Sequence, residues 1–281
     1  MITPPSPLDW PSLVWSNAER SNFDLFRDCS DEPQVLAGAV IDQLTRSALP
    51  PLSDLHLLDY GAEPGGQLAG LLRTELGAYS PVPLAGGAEA GDFLARLTAS
   101  GRGAAYDAVL LCHVLQYVRR ADLVLAALAG HCRPDAVAVA AGLEPDGDQH
   151  DIALLARESD PAHPRRFDHI GHLDRWLASN GIPRRRRLVS SRARAADEQT
   201  LRRLVEFILG CDDEGLVDRA AAAVPRDPRG GYLIRTTHRL VSWPLRFHPP
   251  SKTPALQHGD PAGRTGQQVD VQARDLEGTA R

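Results

Sequence analysis

Apolar positions along the chain alternate between two rhythms. Over Pro33–Ser47, the residues Val35, Leu36, Ala39, Val40, Gln43 and Leu44 recur at i, i+3, i+4 steps, which predicts a helix with one apolar face. His56–Tyr60 is a short apolar run stopped by a Gly/Pro cluster and predicts a buried strand. Gly65–Gly77 returns to the helical rhythm, with Leu68, Leu71, Leu72 and Leu76 on one side. Ser80–Ala85 contains Pro81 and Pro83, so it suits only an edge strand or a loop. Ala88–Ala99 predicts another helix. Tyr106–Cys112 (YDAVLLC) is apolar throughout, as strands buried on both faces are. Asp122–His131 reads as a helix and Ala136–Ala141 (AVAVAA) as a strand; His172–Asn180 reads as a helix stopped by Gly181. Arg187–Ser191, a helix at Glu198–Leu209 and a last strand near Tyr232–Trp243 complete the series. Strands alternating with helices predict a parallel, layered α/β sheet.

The two ends break this pattern. Residues 1–16 carry Pro4, Pro5, Pro7 and Pro11, which favour extended backbone. From Pro249 onward the chain is polar and rich in Gly and Gln, with too little apolar surface to offset its ordering entropy. The expected organisation is therefore a disordered N-terminus over 1–16, one domain over 17–248, and a disordered polar tail over 249–281. Hydrophobic residues at 43% and charged residues at 24% agree with an ordinary globular core.

The formal net charge of -5 speaks against a nucleic-acid partner, whose phosphates demand a basic face. The run Arg184–Arg187 is short and leads into a strand, so it reads as an exposed strand start. Cys29, Cys112, Cys132 and Cys211 are scattered without a CxxC pair, which predicts reduced, mostly buried thiols. Asp168, His169 and His172 could offer a metal pair, but no third ligand has recognisable spacing. A solvated loop-to-helix junction is the better reading, and no metal is expected. The N-terminus lacks the basic and apolar regions of a signal peptide, and no window reaches the roughly 18 apolar residues of a membrane span. A cytoplasmic protein without a membrane partner is the expectation.

The chemistry concentrates in HLLDYGAEPGGQLAGLL, His56–Leu72. A strand ending in Asp59-Tyr60-Gly61, a turn of small residues and a helix place a ligand at the strand's C-terminal end. Glycine lets the backbone approach it, and the helix N-terminus offers free N–H groups. Without a ligand the same segment would be only a tight strand–helix turn. A second block, YDAVLLCHVLQYV (Tyr106–Val118) followed by LAALAGHCRP (Leu125–Pro134), stands at matching distance. Together the blocks resemble class I S-adenosylmethionine (SAM) methyltransferases. The resemblance implies a Rossmann-like sheet with helices on both faces, SAM as cofactor and a small-molecule acceptor.

Two further segments are similar to histamine N-methyltransferase and its relatives. SNFDLFRDCSDEPQ (Ser21–Gln34) resembles that family's N-terminal segment, a helical cap over the active site; LRRLVEFILG (Leu201–Gly210) and GGYLIRTTHRLVSW (Gly230–Trp243) resemble its last helix and strand. The resemblance implies that Glu32 holds the substrate amine and that His113 replaces a substrate-contacting glutamine. Thr236 would replace an asparagine contact. Asp59, Gly61 and Gly65 would form the cofactor turn, and Cys112 would flank the adenine or methionine portion of SAM. Glu32 and His113 are the candidate catalytic residues. Each also has a plain structural reading: Glu32 as a helix N-terminal carboxylate, His113 as a satisfied core histidine.

Three departures accompany the match. Glu63 occupies the central glycine of the turn, where a carboxylate would crowd SAM. Ala85 aligns with the acid that grips the ribose, and Glu89 lies on the next helix. The third strand, normally before Tyr106, is not evident. These departures define an alternative, a methyltransferase-like protein that no longer methylates.

Overall fold

The computed structural model describes residues 17–62, 66–82, 106–118, 121–159 and 169–245. All of them belong to one compact unit, Met1–Phe247, and a second unit, His248–Arg281, lies outside the described residues. The expectations for residues 1–16 and 249–281, the Ala88–Ala99 helix, the missing third strand, Glu63, Gly65, Ala85, Glu89 and Asp168 also lie outside them.

Six strands form one sheet: β1 (His56–Tyr60), β2 (Ala78–Val82), β3 (Tyr106–Cys112), β4 (Cys132–Leu143), β5 (Arg185–Ala195) and β6 (Tyr232–Pro244). Their order is β2-β1-β3-β4-β6-β5. The chain steps outward from β1 to β2, then crosses back to β3 on the other side of β1. This reversal creates the crevice at which doubly wound sheets bind ligands, above the C-terminal ends of β1 and β3.

The helices cover both faces. Helices α2 (Glu32–Thr45) and α3 (Gln67–Glu75) bury Leu36, Val40, Leu44 and Leu72 against Leu57, Leu110 and Val139 on one face. On the other, α4 (Ala121–Gly130) and α6 (His169–Ser179) bury Val124, Leu128, Ile170 and Leu173 against Val109, Leu111 and Ala138. Alternate residues of β3 thus serve opposite layers, which is why the whole strand is apolar. A third cluster joins α1 (Asn17–Cys29), α5 (Asp148–Ser159), α7 (Glu198–Leu209) and α8 (Glu214–Ala223) around Ile152, Leu204, Ile208 and Val217. The architecture is the expected Rossmann-like sheet with helices on both faces.

Four expectations need correction. The sheet is not wholly parallel, because β6 runs antiparallel to both β4 and β5. Its direction follows from the connection: α7 and α8 start and finish at the same end of the sheet, where Ala195 of β5 pairs with Tyr232 of β6. The strand over Ser80–Ala85 starts earlier, at Ala78; Pro81 is accommodated because β2 ends the strand order. The four cysteines are free but only half-buried. Finally, His169 at the start of α6 is buried rather than solvated, although His172 is exposed.

Candidate active site

A cavity of about 530 Å³ opens at the C-terminal end of β1 and β3, and it collects most of the residues singled out above. Asp59, the fourth residue of β1, is buried, and the hydroxyl of Tyr79 on neighbouring β2 donates to its Oδ2. Burial pushes the Asp59 carboxyl up to about 6, against the lowering effect of the Tyr79 hydrogen bond. Gly61 then turns the chain with φ +89°, and its N–H donates to the Val82 carbonyl at 2.8 Å. That conformation suits glycine because a Cβ would strain it. Ala62, Gly66 and Gln67 carry the cavity wall to the N-terminus of α3, whose first N–H groups have no partner within the helix.

Glu32 lines the same cavity. The segment before it is stitched to β5: the N–H of Asp31 donates to the Arg192 carbonyl at 3.1 Å, and the N–H of Arg192 donates back to Asp31 Oδ1 at 2.6 Å. The Glu32 N–H donates to Ser30 Oγ at 3.1 Å. Helix α2 therefore starts at the sheet edge, and its first side chain points into the cavity. Glu32 is a helix N-terminal carboxylate that also lines the cavity. Burial raises its pKa most, His113 lowers it, and Asp31 raises it further.

His113 follows β3 directly. Its N–H donates to the Ala141 carbonyl at 2.9 Å, which holds the chain to β4 for one more residue. Its φ of +50° makes it the one non-glycine among the described residues with positive φ. Such strain costs about 1–3 kcal/mol and gathers at functional positions. The bend presents the imidazole to Glu32, with His113 Nε2 3.5 Å from Glu32 Oε1 and both side chains 20% exposed. Cys112 lines the same wall, and burial pushes its thiol pKa well up.

Thr236 does not reach the cavity wall. It is buried, and its hydroxyl donates to Gln149 Oε1 at 2.6 Å, so Gln149 of α5 lines the cavity in its place. Two residues further along β6 stands His238, wholly buried, with Nε2 3.6 Å from Glu32 Oε2 and 2.7 Å from Ser191 Oγ. Its ring meets that of His113 edge-on at 5.2 Å between centroids. Burial, then the neighbouring His113, pushes its pKa well below the usual histidine value, so the ring is neutral. Sequence reasoning passed over His238, Tyr79 and Gln149; the available signal was one histidine inside the apolar strand THRLVSW.

The rest of the enclosure is aromatic. Phe23 and Phe26 of α1 pack on Phe207 of α7 at 6.0 and 4.6 Å, and all three line the cavity with Tyr117. Asn22 Nδ2 donates to Glu206 at 3.0 Å and Arg203 donates to Asn22 Oδ1 at 2.9 Å, which locks α1 onto α7. The cavity thus gathers the glycine turn with its buried acid, the Glu32–His113 pair and an aromatic group around one space.

No family model matches the chain, and no curated protein matches it in sequence. Among solved structures it is similar to the YcgJ protein of Bacillus subtilis, at 12% identity over 75% of this chain and 98% of that one, with TM-score 0.46. A cyclopropane-fatty-acyl-phospholipid synthase-like protein from Lactobacillus casei is similar at 14% identity, over 79% and 99%, with TM-score 0.42. Geranyl diphosphate C-methyltransferase from Streptomyces coelicolor, solved with S-adenosyl-L-homocysteine, is similar at 14% identity, over 75% and 76%, with TM-score 0.37. At such identities and scores these likenesses assign no activity to the chain. Nothing in them ties it to the histamine N-methyltransferase-like family.

Proposed function

We propose that the protein is a SAM-dependent methyltransferase that acts on a small molecule at an amine nitrogen. The observation that carries this reading is the shared cavity: the Asp59–Gly61 turn and the Glu32–His113 pair line one space at the C-terminal edge of the sheet. In this reading Asp59, Gly61, the start of α3 and Cys112 bind SAM. Gly65 belongs to the same turn on sequence grounds.

Methyl transfer is an in-line displacement at a carbon already activated by the sulfonium, so the protein needs no covalent nucleophile. Its contribution is alignment of donor and acceptor, which is worth roughly 7–11 kcal/mol of barrier. The Glu32 carboxylate attracts the acceptor's ammonium group and takes up a proton, which frees the nitrogen lone pair. His113 accepts or donates a hydrogen bond to the same head group. The aromatic cap of Phe23, Phe26 and Phe207 keeps water out and receives an apolar body. No helix among the described residues is long and apolar enough to cross a membrane.

Glu32→Gln tests the assignment. Methyl transfer from labelled SAM should fall at least 100-fold, while SAM affinity by calorimetry changes less than threefold. Equal loss of both would remove Glu32 from the acceptor side. A second reading, a cleft that binds a metabolite without methylating it, rests on Glu63 at the centre of the turn and on Ala85. SAM binding without turnover of any amine would favour it.

A further inference from the structure

Three potential metal ligands that are far apart in sequence converge at the floor of the cavity. One donor atom from each of Glu32, His113 and His238 lies within 4.8 Å of the others. Glu32 reaches both rings, with its Oε1 3.5 Å from His113 Nε2 and its Oε2 3.6 Å from His238 Nε2. These gaps are long for charge-assisted hydrogen bonds, which sit near 2.7–2.9 Å. His113 Nε2 is buried without a hydrogen-bond partner.

The two gaps, each to a different Glu32 oxygen, come near the separation of atoms that share a metal ion. Ligand atoms at ~2.0–2.1 Å from a tetrahedral zinc ion lie about 3.3–3.4 Å from one another. Two imidazoles and one carboxylate are a donor set that suits zinc and other divalent transition metals. We infer that Glu32, His113 and His238 are the three protein ligands of a divalent transition-metal site, with its remaining coordination position facing the cavity.

The backbone supports such a site from three elements. The strained φ of +50° at His113 turns its ring toward Glu32, and Asp31 ties the start of α2 to β5. His238 is held within β6 by pairing with Leu143 of β4 and Val189 of β5. His113 and Glu32 line the cavity, so an exogenous ligand would complete the sphere from that side. The fourth ligand expected is an anionic oxygen or sulfur donor. A bound metal engages Glu32 and therefore competes with an ammonium group for the same corner, whereas its own binding needs no SAM.

Ser191 provides an internal control. Its hydroxyl lies 2.7 Å from His238 Nε2, the nitrogen the metal would use, so a metal bound there must displace that hydrogen bond. Removing it should tighten metal binding by about fivefold, the worth of one net hydrogen bond.

The test uses the full chain, stripped with a chelator, dialysed and titrated with zinc chloride, with the cobalt(II) absorption spectrum as a second readout. One zinc per chain should bind at micromolar or lower concentration, and cobalt should give the visible bands of a low-coordinate site. Glu32→Gln and His238→Asn should each weaken zinc by more than the about 10–100-fold that outer-shell changes cost. Circular dichroism checks their fold, and Glu32→Gln serves alone if His238→Asn unfolds. Absence of zinc binding at submillimolar concentration, or equal affinity in Glu32→Gln, would overturn the site. Titration with SAM on the same samples separates the outcomes: zinc without SAM binding leaves the metal site standing and removes the methyltransferase reading, and the reverse removes only the metal.

Discussion

At the scale of single residues, burial raises the pKa of both acids in the cavity. Asp59 has the clearest consequence, because its folded pKa of about 6 lies above the ordinary aspartate value. The unfolded chain then ionises first as pH rises, so the native state loses stability between about pH 4 and 6 and levels off above. Below the unfolded value both states are protonated and the loss vanishes. Asp59→Asn keeps an acceptor for the Tyr79 hydroxyl and removes the charge. It should stabilise the protein without cofactor by about 2–3 kcal/mol at pH 7.5, and by little at pH 4. Urea unfolding of both forms at the two pH values checks this. Equal stability at pH 7.5 would show that the carboxylate is not penalised by burial. Glu32 and His113 are reached from sequence only through the resemblance to histamine N-methyltransferase, and the structure brings both to the cavity wall. Thr236 could not be separated from His238, since only the sheet register decides which of them meets Glu32.

At the scale of elements, the strongly patterned segments were legible and the weakly patterned ones were not. Helix α7 matches its expected span, with Asp197 capping it through the Thr200 N–H at 2.7 Å and Gly210 ending it at φ +68°. Helices α5 and α8 escaped the periodicity reading because alanines supply much of their buried faces: Ala153 and Ala156 in one, Ala220 in the other. Strand β5 is longer than expected, since arginines alternate with inward residues over Arg185–Ala195, whereas β6 matches its expected span to within one residue. The turn into β6 depends on Gly231 at φ +76°, where a Cβ would fall 2.2 Å from the Ala195 carbonyl oxygen. Gly231→Ala should therefore destabilise the fold by about 2 kcal/mol or more, through backbone strain plus the displaced strand end. Its thermal midpoint should fall by several degrees. An unchanged midpoint would mean that β6 can begin elsewhere.

At the scale of the whole molecule, the sheet brings residues 32, 59, 113 and 238 to one end. The alternation of strands and helices announced that arrangement, and the reversal between β2 and β3 located the crevice. Pairwise distances inside the crevice were beyond sequence reasoning, because they depend on how α2 is tied to β5 and on the reversed direction of β6. If SAM occupies the glycine-turn end, saturating SAM should stabilise the folded state, by about 2.7 kcal/mol at a hundredfold excess over its dissociation constant. A shift in thermal midpoint that grows with SAM concentration would register it. SAM binding is tested most directly by isothermal titration of the full chain with SAM and S-adenosylhomocysteine. One site per chain with micromolar affinity for both is expected. The absence of binding at millimolar concentration, from a protein with native circular dichroism, would contradict it.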